Sequence, residues 1–235
     1  MMLTLLKTEF QKMKKRIWFL VILVPVVAVM LQVVNYTVRY DYLISRDPDQ
    51  WHFLVVNVHS FWPPLLILEI TLLVSLIASL EHQTMMWRKL ISLPVRTNYL
   101  YYSKLIVICL LTLLSSMILV GGTYGLGWYL GFGSDIPHGD IWSMVFYTLL
   151  AALPFIFIQF WFSVKYVNQG VALTVGIASA VFMMYAHDLP NWLPWKWPLL
   201  VEGFVNGIDY ALYGLAFSVL GWIISTALLT RREMD

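Results

Sequence analysis

A chain of 235 residues that is 60% hydrophobic and 12% charged, with mean hydropathy +0.75, lies outside the soluble range, where charged residues alone make up about a quarter. This composition excludes a soluble domain and fits one integral membrane domain over 1–235. The net charge of +2 says little, its distribution much more, and a single cysteine, Cys109, excludes an intrachain disulfide and a thiol metal cluster.

The first sixteen residues carry Leu3, Leu6, Phe10, Met13 and Ile17 (just beyond them) at alternating steps of three and four, one face of a helix. Lys7, Glu9, Gln11, Lys12, Lys14 and Lys15 fall on the other faces. The pattern predicts an interfacial amphipathic helix over 1–16, its apolar stripe among lipid tails and its lysines near anionic headgroups. A secretory signal is the competing reading. Against it stand a long basic region, a following run of membrane-spanning length and the lack of a small-x-small cleavage site.

Six apolar runs follow, at 17–36, 57–80, 105–130, 141–164, 171–187 and 209–230, each reaching or approaching the roughly 20 residues of a bilayer crossing. The expected fold is therefore an all-α integral membrane protein with six transmembrane helices. Twelve of the fifteen Lys and Arg residues fall in the leader, the 81–104 loop, at Lys165 and in the Arg231-Arg232 tail. Arg39, Arg46 and Lys196 fall on the other side with eight acids, a net of about −5 by counting, so the positive-inside rule puts both termini in the cytoplasm.

Between runs two and three lies a passage, 81–104, with one acid, Glu81, and four bases, Arg88, Lys89, Arg96 and Lys104. It is longer than a tight turn needs, has helix-forming content and stops at Leu93-Pro94, as expected of a cytoplasmic element on which another protein pushes. In the outer loop at 188–208, Trp192, Trp195 and Trp197 alternate with Pro190, Pro194 and Pro198. Tryptophan settles at headgroup depth and proline interrupts a helix, so this loop reads either as an interfacial belt or as a re-entrant segment before span six.

Within the runs, Ala172, Gly176 and Ala180 form a small-residue stripe for close helix approach, and Gly121–Gly125 and Gly127–Gly131 suggest the same. Pro25, Pro63, Pro64 and Pro154 release backbone carbonyls and permit kinks. Glu69 is the one acid deep in a run, and a charge there is costly enough to mark a candidate site; with Gln32, Asn35 and Gln159 it could line a translocation path. A structural pairing of Glu69 is the equal alternative. His52, His59, His138 and His187 lack metal-ligand spacing, the groups at the depth of Glu69 are amides and hydroxyls that make a weak catalytic pair, and no G-x-x-x-x-G-K-[ST] occurs. The sequence reads as a non-enzymatic chain that receives its energy from elsewhere.

A basic leader, six runs, a long basic loop after run two, a short one after run four and a Pro/Trp-rich outer loop before run six together resemble the membrane subunits (permeases) of type-2 ABC exporters. The local likeness is an acid ending span two, an amphipathic helix, Leu-Pro, a basic residue, Tyr and Lys. Here these are Glu81, Trp87-Arg88-Lys89-Leu90, Leu93-Pro94, Arg96, Tyr99 or Tyr101, and Lys104. The resemblance implies a coupling helix over 85–93 seated in a partner ATPase, with Glu81, Met85, Trp87, Arg88, Lys89, Leu90, Leu93, Pro94 and Arg96 as coupling residues. It implies that this chain holds no cofactor, and that ATP and Mg sit on a separate ABC ATPase present in two copies. It also implies a second permease subunit, identical or not, surrounding membrane lipids, no nucleic acid and the bacterial plasma membrane. The short loops look most like permeases of lantibiotic or bacitracin immunity and peptide export. Export of a lipid, ion or small drug, a non-transporting adaptor or sensor, and an intramembrane enzyme acting through Glu69 are the alternatives.

Overall fold

The computed structural model describes residues 2–83, 97–201, 203–204 and 207–232, with the side chains of 83, 97, 98 and 223–232 excepted. The architecture is helical: α1 (Met2–Lys12), α2 (Lys15–Ile44), α3 (Gln50–Gln83), α4 (Thr97–Leu130), α5 (His138–Lys165), α6 (Gln169–Met183), 3-10 turns at Ala186–Asp188 and Pro194–Leu199, and α7 (Gly207–Arg232). α2, α3, α4 and α5 are long and apolar enough to cross a membrane. α6 has 15 residues, about 22 Å at 1.5 Å per residue, shorter than a hydrocarbon core of about 30 Å.

α3 is the centre of the bundle, packing against α2, α4, α5, α6 and the second 3-10 turn, while α7 lies along α5 and α1 lies on α4. Successive long helices alternate in direction. Trp51 Nε1 donates to the Gly133 carbonyl (3.3 Å) and His52 Nδ1 meets Asp140 Oδ2 (3.1 Å) at one end. At the other end His82 Nε2 donates to the Ser163 carbonyl, 3.0 Å. The first end carries the acidic connections and the second the basic ones; they are called the acidic and basic ends below.

Several sequence boundaries shift. The helix of 1–16 stops at Lys12, and after a break at Met13-Lys14 the residues Lys15 and Arg16 open α2. Leu6, Phe10 and Met13, expected among lipid tails, pack against the core of the bundle instead, whereas Leu3 is exposed. α2 continues past Tyr36 to Ile44 through a non-helical Arg39 (φ −127°, ψ 29°), so Arg39 and Asp41 belong to a helical extension. The 81–104 passage is helical at both roots, Glu81–Gln83 closing α3 and 97–104 opening α4. Apolar periodicity misses these turns, because Glu81, Ser103 and Lys104 are polar yet buried.

The small-residue stripes divide. Ala172, Gly176 and Ala180 are buried, and a Cβ on Gly176 would collide with the Thr71 side chain of α3, the close approach the stripe predicts. Gly127 likewise admits the ring of Trp51. Gly121 and Gly125 instead meet nothing within 4 Å, and Gly131 (φ +75°) ends α4 in the left-handed region. In the 188–208 connection, Trp197, Leu200 and Phe204 are buried. Phe204 sets its ring edge-on to His59 of α3 at 5.3 Å, and His59 Nε2 bonds Thr148 Oγ1 of α5 at 3.1 Å. The proline- and tryptophan-rich segment thus folds back onto the acidic end of the bundle.

Candidate functional site

At the basic end, three segments distant in sequence bring charges together inside the packing. Lys104, five residues after Tyr99 in α4, is 1% exposed and donates to both Glu9 oxygens at 2.9 Å and to Glu81 Oε1 at 2.7 Å. Lys12 reaches Glu9 Oε1 at 3.5 Å and Glu81 Oε1 at 3.7 Å. Two carboxylates and two ammonium groups make a cluster of zero formal charge, the condition under which buried ions are tolerable. Its members come from α1, the last turn of α3 and the first turns of α4, and it ties both roots of the 84–96 segment to the N-terminal helix.

Local sequence explains how each side chain arrives. α1 buries Leu6, Phe10 and Met13, and Glu9, at i+3 from Leu6 and i−4 from Met13, lies on the edge of that stripe and is drawn in with it. α3 delivers Glu81 one turn after Ile77 and Ala78, both buried. Lys104 sits between buried Ser103 and Leu105, and its long stem spans the gap to both acids.

Glu81 is thus the one predicted coupling residue within the described structure, and it is buried rather than presented to solvent. Met85, Trp87, Arg88, Lys89, Leu90, Leu93, Pro94 and Arg96, with the predicted coupling helix, lie outside the described residues. Glu9 corrects the sequence reading: expected on a polar face of an interfacial helix, it is 8% exposed. The signal that could have found it is its place beside the apolar stripe, as the one acid in a leader of lysines.

The candidate path residues hold different helix pairs. Gln32 Nε2 donates from α2 to the Asn57 carbonyl of α3 (2.7 Å), and Asn35 Nδ2 donates to Gln32 Oε1 (3.3 Å). Glu69 is fully buried and accepts from Ser115 Oγ of α4 at 2.8 Å; its Oε1 has no hydrogen-bond partner among the described residues. Gln159 Nε2 of α5 donates to the Ala172 carbonyl of α6 at 2.9 Å. The structure brings Gln32 and Asn35 together and sets Glu69 and Gln159 at separate helix contacts.

Long apolar helices closed by a buried ion cluster at one end define a multi-pass, all-helical membrane protein. Residues 5–186 match the family model described as ABC-2 family transporter protein, and the chain belongs to that family. The matched region covers α1 from residue 5 through α6, with all four cluster residues, and membership makes the chain a permease-type membrane component of an ABC transporter. No curated protein and no solved structure matches it.

Proposed function

We propose that this chain is the six-span permease subunit of an ABC exporter, driven by two copies of a separate ATPase that bind ATP and Mg. The observation that carries the reading is the Lys104 cluster, which joins the two helices flanking the basic 84–96 segment to α1 within a region matching the family. α6 and α7 supply the fifth and sixth crossings, and both termini and the 81–104 passage face the cytoplasm of a bacterial cell. Residues 85–93 form the coupling helix, with Trp87, Arg88, Lys89 and Leu90 in the ATPase cleft and Leu93-Pro94 ending it before Arg96.

Closure of the ATPase pushes this element. Because the cluster fastens α1, α3 and α4 at one level, the push reaches the bundle as a rigid-body displacement rather than as bending of one loop. Two permease subunits, identical or paired with a sister, enclose the path. Gln32, Asn35, Glu69 and Gln159 fix the helices beside it. An amphipathic peptide of the antimicrobial type, as in self-immunity of the lantibiotic or bacitracin kind, enters from the membrane surface and leaves outward.

The test uses the full chain purified with its ATPase and reconstituted in liposomes. Glu81→Gln, or a proline in place of Leu90, is expected to leave ATP hydrolysis measurable while lowering peptide export by at least about ten-fold, as loss of a transmitting contact implies. Wild-type export by both variants would end the proposal.

A further inference from the structure

Beside the break between α1 and α2 lies a cleft, continuous with the surroundings, that the ion cluster does not use. Lys14 and Arg16 line one side, and Ile17, Leu76, Ser79 and Leu80 complete it. No acid lines it, and among the described residues neither Lys14 nor Arg16 forms an ion pair. The nearest carboxylates, Glu9 and Glu81, line an adjoining crevice that shares Ile17 and Leu80, and both are engaged by Lys104 and Lys12. The cleft's lining therefore combines two positive charges with the apolar side chains of Ile17, Leu76 and Leu80.

Its depth suits one class of ligand. Leu80 adjoins the charged Glu81, and one residue below Ile17 the exposed Trp18 and Phe19 begin the apolar face of α2 that continues through Ile22, Leu23 and Val26. Charges, then aromatic rings, then aliphatic surface is the order of the headgroup and acyl layers of a bilayer.

We propose that this cleft is a binding site for one anionic glycerophospholipid, its phosphodiester held by Lys14 and Arg16 and its acyl chains running down α2 beside Leu76. Charge complementarity selects an anion, and the apolar wall selects a lipid over a free phosphate. The inference rests on the membrane placement of the chain and is independent of what the protein exports.

Native mass spectrometry of the full-length protein, released from detergent carrying equimolar phosphatidylglycerol and phosphatidylcholine, tests it. The wild type is expected to retain a single phosphatidylglycerol per subunit under activation that strips phosphatidylcholine. Lys14→Gln with Arg16→Gln should weaken that retention by about thirty-fold, as loss of two headgroup-level bases implies. The control pair Lys7→Gln with Lys15→Gln, removing the same charge outside the cleft, should leave it unchanged. Leu76→Asn should also weaken it, Arg16→Lys should preserve most of it, and millimolar inorganic phosphate should not displace the lipid. Equal loss in the two double variants would reduce the effect to diffuse attraction and overturn the site. Displacement by phosphate, or a wild type that retains no phosphatidylglycerol, would overturn it as well.

Discussion

Lys104→Met is expected to destabilise the protein by about 3–5 kcal/mol, the cost of removing one partner from a buried ion pair and leaving the other charge behind. The substitution keeps the length of the stem but deletes the group that sits 2.7–2.9 Å from Glu9 and Glu81. Those two carboxylates then face one another inside the packing. Lys12, its side chain 36% exposed and 3.5–3.7 Å away, lies at the rim and cannot replace a donor centred between them. A triple variant, Glu9→Gln with Glu81→Gln and Lys104→Met, leaves only the partly exposed Lys12 charged and should recover most of the loss, since a buried ion cluster contributes little net stability over a neutral replacement. Thermal unfolding in detergent, followed by loss of helical signal, measures both. A single variant as stable as the wild type, or a triple variant as weak as the single, would show that the cluster does not hold these helices.

The second large effect is expected at Gly214. Pro154 in α5 has no amide hydrogen, so the carbonyl of Leu150, four residues earlier, loses its helical donor. Gly214 of α7 lies over that carbonyl: an added Cβ would stand 2.5 Å from the Leu150 oxygen and 2.6 Å from Ala151 Cα. Both obstacles are backbone, so no rotamer change relieves the clash and α7 must move away from α5. Gly214→Ala should cost about 1–3 kcal/mol, the usual range for overpacking a tight contact. Gly121→Ala and Gly125→Ala, where a Cβ meets nothing, should be neutral or slightly stabilising through helix propensity. Denaturation of the three variants side by side settles the matter, and equal behaviour would refute the close packing of α5 on α7.

What the sequence could and could not disclose follows from which interactions are local. The long helices were legible because membrane-spanning apolar runs carry their own signal, and the two ends because Lys and Arg segregate from Asp. The Ala172–Gly176–Ala180 stripe was legible for the same reason: three small residues on one face have few other uses. Gly121 and Gly125 repeat that spacing without a partner among the described residues, since spacing describes one helix surface and not what lies opposite. Glu9 was misread because its counter-ion stands 95 positions away, and a single-helix pattern treats every charge as solvated. The first turns of α4 escape a local reading because Lys104, which ends them, is neutralised by Glu9 and Glu81 on two other helices. The fold-back of Trp197, Leu200 and Phe204 depends likewise on surfaces offered by α3 and α5.

The brevity of α6 carries a mechanical consequence. With the six-crossing arrangement proposed above, a rod of about 22 Å must serve a slab of about 30 Å, and the mismatch is met by dimpling the lipid or by leaning on the 3-10 turns beyond Met183. Where the lipid dimples, the leaflet is thinnest beside this helix. Under the export role proposed for this chain, an amphiphile adsorbed there would have a shorter apolar distance to travel, and the rate would depend on the acyl-chain length of the surrounding membrane.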